Sequence, residues 1–226
     1  MREALRGRRH VLELWASERA LAAEPWLSDA PVKVQEKAER ELSQAAGTRD
    51  HQGVVAWTEP FKYADAWELA ARERPLLVCL DHVTDPRNLG AVCRSADGAG
   101  ATGVVVPTHG SAAVTPAVAK ASAGAVEHLP VAVVTNLARY LKEIKRDDLW
   151  VYAATQDAAQ TLWATDFTGG AVLVLGAEGK GLRPLVRRTC DVAVSIPLAG
   201  QVGSLNVSVA AALLLYEARR QRDQLA

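Results

Sequence analysis

The sequence has few cysteines, and their spacing suits neither cross-links nor metal ligands. Cys79, Cys93 and Cys190 are odd in number and widely separated, and no CxxC pair occurs among the 226 residues. This excludes a disulfide framework and a cysteine zinc site, and it favours reduced thiols in a cytoplasmic protein. No metal site is expected, because the lone histidines His82 and His128 have no ligand cluster around them.

The chain also lacks net charge and a long apolar run. Its 26 basic residues are balanced by 26 acidic residues, so any surface for nucleic acid must be a local patch. The longest apolar stretch, residues 207–216, is shorter than the roughly 20 residues that a membrane helix needs. The N-terminus has early positive charge without an apolar run after it, unlike a secretory signal. We therefore expect no membrane association.

The length predicts two domains, over residues 1–70 and 75–226. The front part shows helical patterns at HVLELWASERALAA and VQEKAERELSQAAG, and one short strand at GVVAW. A helix at YADAWELAARERP ends before Pro75, which marks the boundary. The front domain is therefore predicted to be a small α/β unit.

The second domain alternates apolar strands with helices. The strands LLVCL, GVVVP, LWVYAAT, AVLVLG and VAVSIPL are uniformly apolar, which is typical of a parallel sheet covered by helices on both faces. Ligands bind outside the carboxyl ends of such strands. Three unusual loops follow these strands, at residues 81–100, 175–184 and 195–206.

The middle loop, LGAEGKGLRP, is glycine-rich but matches no phosphate-binding pattern. Glu178 stands where a phosphate would require positive charge, so the loop favours a ligand that is neutral or cationic there. S-adenosylmethionine, a sulfonium without a phosphate, meets this condition. Alternatively, Gly176, Gly179 and Gly181 only form a tight turn and Glu178 is solvated.

The first loop predicts that Asn88 caps a helix over residues 88–98. Arg94, six residues on, has the planar fork that suits phosphate or carboxylate. The alternative is a surface ion pair of Arg94 with Asp97 or Asp81.

The third loop predicts Ser204 as the cap of the last helix, with Asn206 in its first turn. Gly200 and Gly203 would let the chain approach a ligand closely. The following helix is apolar on every side from Val207 to Tyr216, so it must be buried on more than one side. A partner subunit could supply one side.

Together the three loops carry N-L-G-x-x-x-R-[ST], L-G-x-E-G-x-G and I-P-[LM]-x-G-x-x-x-S-L-N-V-S-V-A. In this order they resemble the SpoU (TrmH-like) family of RNA ribose 2′-O-methyltransferases, of the SPOUT class, over residues 76–222. The first loop and HQGVVA are similar to the RlmB-like branch, which methylates guanosine in bacterial 23S rRNA. The front domain of that branch resembles ribosomal protein L30e. Here the chain begins almost at REAL, without that branch's usual opening strand.

The resemblance implies a C-terminal trefoil knot, a homodimer built on it, S-adenosyl-L-methionine as cofactor and RNA as substrate, with tRNA and thiostrepton-resistance methyltransferases as related alternatives. It also implies three residue sets. The catalytic set is Arg94, Asn88, Glu178, Ser204 and Asn206. The cofactor set is Leu175, Gly176, Ile196, Leu198, Ser204 and Leu205. The RNA set is Arg6, Arg8, Arg9, His51, Gln52 and Arg94, although solvated charges and a simple turn would explain the front-domain members equally well.

Two other functions remain open. One is a SPOUT-like dimer that holds RNA or cofactor without catalysis; it predicts damaged motifs, and none is damaged at Asn88, Arg94, Glu178, Ser204 or Asn206. The other is a nucleotide-dependent α/β enzyme that uses LGAEGKG for phosphates, which would fit binding of ATP or NAD.

Overall fold

The computed structural model describes residues 1–224, and the chain divides into two compact units, Met1–Lys62 and Tyr63–Ala226. The helix at Ala66–Ala70 belongs to the second unit, whereas the sequence analysis assigned it to the front domain. Its residues Ala66, Leu69 and Ala70 are buried in the second unit's core. This burial places the division before the helix and not at Pro75.

The front unit is a three-stranded mixed sheet with short helices. Strand β1 pairs in parallel with β2 and antiparallel with β3, in the order β2-β1-β3. The strands are β1 (Val11–Ala16), β2 (Val34–Glu36) and β3 (Val54–Thr58), and the helices are α1 (Arg2–Arg6), α2 (Glu18–Ala23), a 3-10 turn (Pro25–Leu27) and α3 (Glu39–Ala46).

The prediction of one helix over HVLELWASERALAA was wrong for its first half, which forms strand β1. A β-bulge between Val11 and Glu13 interrupts the alternation of side chains. Val11 and Leu14 are consequently both buried, and their spacing of three residues imitates a helical period. The helix α2 begins only after Ser17, whose hydroxyl accepts a hydrogen bond from Ala20 N.

The second unit is an α/β structure built on a parallel sheet, as predicted. Its strands are β4 (Leu76–Asp81), β5 (Gly103–Pro107), β6 (Val131–Val134), β7 (Leu149–Ala154), β8 (Gly170–Gly176) and β9 (Val192–Val194). Its helices are α4 (Ala66–Ala70), α5 (Pro86–Gly98), α6 (Pro116–Ala121), α7 (Leu137–Glu143), α8 (Pro184–Thr189) and α9 (Val207–Asp223), with 3-10 turns at Ala125–Glu127 and Leu162–Ala164. The four-residue strand β6 is an element that the sequence analysis did not identify.

All six strands of this sheet are parallel, in the order β6-β5-β4-β8-β7-β9. The chain winds outward from β4 to β6, and then fills the other half of the sheet with β7, β8 and β9. The winding therefore changes direction between β4 and β8, which is where ligands bind in open parallel sheets. Both strands are buried apart from Gly176 at the end of β8.

Helices cover both faces of the sheet. On one face α4, α7 and α8 share a core with alternate side chains of the strands, among them Leu77, Cys79, Val172 and Val174. Helices α5 and α9 contact each other, and α9 also contacts β8. Within residues 1–224 no helix is long and apolar enough to span a membrane. In the same part of the chain, no three His, Cys, Asp or Glu side chains form a possible metal-binding group.

The close contact of α5 with α6 depends on Gly90. A Cβ atom at Gly90 would lie 2.5 Å from Ala121 Cβ and 2.9 Å from Val118 O. For Gly90→Ala we expect a lower urea midpoint, because overpacking costs about 1–3 kcal/mol and exceeds the roughly 1 kcal/mol by which Ala favours a helix over Gly. Gly169→Ala is the control, since its Cβ would meet only Asp148 O at 3.9 Å. Equal midpoints for the two variants would contradict this packing.

The three thiols should be unreactive while the protein is folded. Burial raises the pKa of Cys93 and of Cys190 to about 12, and it raises the pKa of Cys79 as well. In the unfolded chain these thiols ionise near pH 8.5, so their contribution to stability is complete below that pH and is lost as the pH rises toward 12. At pH 8 we expect slow reaction with a disulfide reagent when folded and fast reaction in urea. A thiol that reacts in the folded protein as fast as free cysteine would disprove this.

Candidate functional site

The three loops singled out in the sequence meet through one group of hydrogen-bonded side chains. Asn206 Nδ2 donates to Asn88 Oδ1 at 2.9 Å and also to Glu178 Oε1. Asn88 Nδ2 approaches the same Glu178 oxygen at 3.4 Å. We call Asn88, Glu178 and Asn206 the Asn206 junction. It joins the start of α5, the loop after β8 and the start of α9.

The helix caps differ from those predicted. Asp85 caps α5 by accepting a hydrogen bond from Arg87 N, with Pro86 as the first helical residue, so Asn88 lies inside the first turn. Asn206 caps α9, because its Oδ1 accepts from Ser208 N at 2.8 Å. The assignments of Asn88 and Ser204 as caps were therefore wrong. Ser204 lies exposed in the preceding loop and makes no hydrogen bond through its side chain in residues 1–224.

Asp81, at the end of β4, fixes the loop that carries Glu178. Its fully buried carboxylate accepts hydrogen bonds from Arg183 N and Arg183 Nε, each at 2.8 Å. Its backbone oxygen accepts from Ala177 N at 3.1 Å. Charge-assisted bonds of this kind compensate the cost of burying a carboxylate. Both ends of the loop are consequently attached to the central strand.

The glycines of this loop are required by the turn itself. A Cβ atom on Gly176 would overlap the backbone of Gly181 and Leu182. Gly179 and Gly181 have φ angles of 73° and 64°, in the left-handed region that glycine adopts at little cost. Glu178 lies in the Asn206 junction. The alternative that it is only solvated is thus incorrect, while a tight turn and a ligand loop are compatible.

The residues predicted to hold the cofactor lie at or after the carboxyl ends of the strands, or just before α9. Leu175 is buried at the end of β8, next to Gly176. Ile196 and Leu198 follow β9, and Leu198 is 38% exposed. Leu205 precedes α9 and is half-buried. Strand β7 lies between β8 and β9, so its carboxyl end belongs to the same region.

The segment after β7 is a part of this region that the sequence analysis missed. Thr155 N donates to Val194 O at 3.0 Å, and Ser195 N donates to Gln160 O at 2.8 Å. The segment therefore covers the end of β9. Thr155 Oγ1 is buried and has no partner with good hydrogen-bond geometry in residues 1–224. Thr155 directly follows an apolar strand, as the three predicted loops do, and this position could have indicated a further loop of the site.

Arg94 does not join the Asn206 junction. Its side chain is exposed and makes no hydrogen bond or ion pair in the described chain, so the alternative pairing with Asp97 or Asp81 is not observed. Six residues along α5 separate it from Asn88 by about 9 Å of helical rise, and it faces another side. Its guanidinium is free to bind an external group.

The candidate RNA residues of the front unit differ in availability. The His51 side chain is 4% exposed, its Nδ1 accepts from Gly53 N, and its Nε2 lies 3.0 Å from Ser43 Oγ. This gives His51 a structural role in the turn before β3 in place of the predicted RNA contact. Arg9 donates to Thr58 Oγ1 and lies over the Phe61 ring.

The other candidates in this unit are exposed. Arg6 makes an exposed ion pair with Glu3, at 3.6 Å. Arg8 and Gln52 are also exposed, and Gln52 has a positive φ of 54°.

Comparison with known families identifies the family of this chain. Residues 75–216 match the model of the SpoU rRNA Methylase family, which covers more than half of the chain. The chain belongs to this family. Residues 1–64 match the model described as RNA 2′-O ribose methyltransferase substrate binding. The predicted family and the predicted enzyme class, an RNA methyltransferase, are confirmed.

Individual relatives extend the match to nearly the whole chain. The 23S rRNA (guanosine-2′-O-)-methyltransferase RlmB of Pseudomonas putida is 44% identical, over 95% of this chain and 90% of its own. RlmB of Ralstonia nicotianae is 49% identical over 80% of this chain and 74% of its own. The SpoU methyltransferase AviRb of Streptomyces viridochromogenes, crystallised with AdoMet, has a TM-score of 0.80 and 28% identity, covering 99% of this chain and 87% of its own. The predicted SPOUT-type α/β fold is confirmed by this likeness.

Removal of the Glu178 carboxylate should loosen the start of α9. In Glu178→Ala, Asn206 loses one of its partners, so we expect faster amide hydrogen exchange at residues 176–183 and 206–210. Glu178→Gln keeps an acceptor oxygen and should change this exchange less. Because the junction is exposed, the stability loss should stay within about 1 kcal/mol. Glu73→Ala, at an exposed glutamate outside the site, is the control, and equal exchange in all three variants would refute the role of the junction.

Proposed function

We propose that this protein transfers a methyl group from S-adenosyl-L-methionine to the 2′-hydroxyl of a guanosine ribose in 23S rRNA, in the cytoplasm. The Asn206 junction is the observation that carries this proposal, because it brings together the three loops whose sequences resemble those of the SpoU family. The RlmB relatives, with 44% and 49% identity, support the choice of RNA and nucleotide.

The residues present fit the methyl donor. When bound, the donor supplies a methyl group on a positively charged sulfur. Leu175, Ile196 and Leu205 offer apolar side chains, and Gly176 lets the loop fold back so that its own backbone packs against that of Gly181 and Leu182. The Glu178 carboxylate places negative charge at this edge, which favours a cation over a phosphate. The buried Thr155 hydroxyl, beside the Asp157 carboxylate, provides a further polar group.

In this proposal Arg94 acts on the RNA. A ribose hydroxyl is a weak nucleophile, so its position and the loss of its proton are the main requirements of the reaction. A guanidinium stays protonated in proteins, so Arg94 is better suited to hold the phosphate of the target and to lower the pKa of the hydroxyl than to act as a base. Asn88, Glu178 and Asn206 hold the loops together, and the exposed Ser204 remains a proposed residue of the site. Exposed Arg6, Arg8 and Gln52 remain the proposed RNA contacts of the front unit, together with Arg9.

The proposed trefoil knot is supported by the contacts around α9. Gln221 Nε2 donates to Thr165 O at 2.9 Å, and Gln221 Oε1 accepts from Phe167 N at 2.8 Å. Arg222 donates to Phe167 O and Pro75 O, and burial lowers its pKa. The connection between β7 and β8 therefore touches the chain at both β9 and the end of α9, as a loop around a threaded segment would.

The proposed homodimer is supported by the exposed side of α9. Val209, Leu213 and Tyr216 are 47%, 43% and 53% exposed. The opposite side of the helix, with Ala211 and Leu215, is fully buried. The sequence analysis expected this helix to be covered on more than one side. Its own unit covers one side, and we propose that a second subunit covers the exposed side.

Replacement of Arg94 tests the proposed function. For Arg94→Ala we expect kcat on a 23S rRNA fragment to fall by about 100-fold or more, while the Kd for S-adenosylmethionine by calorimetry changes less than about twofold. Arg72→Ala, at another exposed arginine of the same unit, should leave both values unchanged. Normal turnover by Arg94→Ala would contradict its role.

The wild-type protein separates the competing functions in the same assay. Binding of RNA without methyl transfer would indicate a non-catalytic dimer. Binding of ATP or NAD in preference to S-adenosylmethionine would indicate a nucleotide-dependent enzyme. Either result would overturn the proposal.

A further inference from the structure

Two adjoining cavities open beside the carboxyl ends of β4, β5 and β6, on the side of the sheet where α7 and α8 lie. The first, of about 230 Å³, is lined by His82, His109, Asn136 and Arg183 with apolar walls such as Leu185; we call it the His cavity. The second, of about 240 Å³, is lined by Trp67, Arg139 and Glu143; we call it the Trp cavity. Thr135 and Asn136 line both. No residue of the Asn206 junction lines either cavity.

The imidazole of His82 is held in place at the rim of the His cavity. His82 has a left-handed backbone, with φ of 62°, a conformation uncommon for residues other than glycine. Its ring lies against Gly110, where a Cβ atom would come within 2.7 Å of Nε2. Its Nδ1 is buried 3.3 Å from Asp81 Oδ1. The ring is therefore fixed by its surroundings, yet the side chain remains 40% exposed.

The indole of Trp67 is similarly fixed and exposed in the Trp cavity. It packs edge-on against Tyr140, with ring centroids 5.3 Å apart, and its Nε1 donates to Glu143 at 3.3 Å. Even so, Trp67 is 46% exposed. Aromatic rings that are held in place and remain partly exposed are surfaces on which proteins stack unpaired bases.

The charges of the two cavities cancel. Arg183 is paired with the buried Asp81, and Arg139 is paired with Glu143 at 2.6 Å. An unpaired phosphate would find no free guanidinium in this lining. Planar, uncharged ligands with hydrogen-bonding edges fit better, because imidazole, indole, amide and hydroxyl groups surround them. Each volume is below the roughly 300–1,000 Å³ of a drug-sized site, which limits the occupant to about one ring system.

We propose that the His cavity and the Trp cavity receive two successive unstacked bases of a single-stranded segment of the RNA substrate. This rests on the proposed function, because the bases belong to the RNA that is methylated. The base site and the methyl-donor loop share a support, since Asp81 precedes His82 and also holds Arg183 and Ala177. RNA seated in these cavities would therefore lie beside the loop that carries Glu178.

Small nucleotides test the cavities directly. Guanosine 5′-monophosphate and uridine 5′-monophosphate, titrated into the full-length wild-type protein, should shift the NMR amide signals of Ala138 and Val186, which line the His cavity. Ribose 5-phosphate should not shift them, and saturating S-adenosylmethionine should not displace the nucleotides. The proposal fails if neither nucleotide shifts these signals, if ribose 5-phosphate acts equally, which indicates an anion site, or if the donor competes.

Variants test the same surface during turnover. Trp67→Ala removes a stacking ring, and His109→Ala removes an exposed imidazole from the lining of the His cavity. For each variant we expect the KM for the rRNA fragment to rise by at least about fivefold, in line with the loss of one base contact. The kcat and the Kd for S-adenosylmethionine should stay within about twofold. Trp150→Ala is the matched control. Trp150 is 50% exposed, and it lies near the amino end of β7, whereas the cavities lie at the carboxyl ends of the strands.

The two proposals fail in different ways. If the wild-type protein methylates RNA and both variants keep its KM, the base site is wrong and the proposed function stands. If the wild-type protein transfers no methyl group, the proposed function is wrong, while the nucleotide titration still decides whether the cavities take bases. His109 is exposed and makes no hydrogen bond through its side chain in residues 1–224, so His109→Ala keeps the test valid if Trp67→Ala does not fold.

Discussion

The side-chain amide of Asn206 is the group on which the arrangement of the site depends. Its oxygen caps α9 by accepting from Ser208 N, and its nitrogen donates to Asn88 and Glu178. Only a side chain with both an acceptor and a two-proton donor can do this. Aspartate would keep the cap but would place a second carboxylate beside Glu178, and serine offers only one proton to donate. One residue therefore fixes the start of the last helix relative to two other loops.

Asp81 performs the complementary task beneath the loop. A buried carboxylate is costly unless it is paired and hydrogen-bonded, and Arg183 satisfies both oxygens. This pair attaches the loop after β8 to β4. His82, the residue after Asp81, lines the His cavity. Because β4 and β8 are the strands at which the winding changes direction, the proposed methyl-donor site and the proposed base cavities share this support.

Much of the second unit could be predicted from the sequence because its strands are buried on both faces and read as apolar runs. The front unit was harder, since the bulge at Val11–Glu13 gives β1 a helical spacing of buried residues. The meeting of three loops followed from the rule for parallel sheets and from the family resemblance. The individual hydrogen bonds could not be predicted. Either Ser204 or Asn206 could cap α9 by residue type, and the choice depends on where the chain turns into the helix. Thr155 was missed because it carries no motif.

The chain has no net charge, and several basic side chains of its second unit are paired with carboxylates. Lys145, Arg183 and Arg187 each pair with a carboxylate, of Asp191, Asp81 and Asp157 respectively. Paired cations release few counterions when RNA binds, so neutralisation of phosphates by these groups contributes little affinity. Arg94 differs from them, since it is exposed and has no partner in the described part of the chain. Under the proposed function, such a protein recognises RNA through its unpaired cations, such as Arg94, and through the proposed base cavities. The position of each unpaired group then matters more for substrate binding than the total charge.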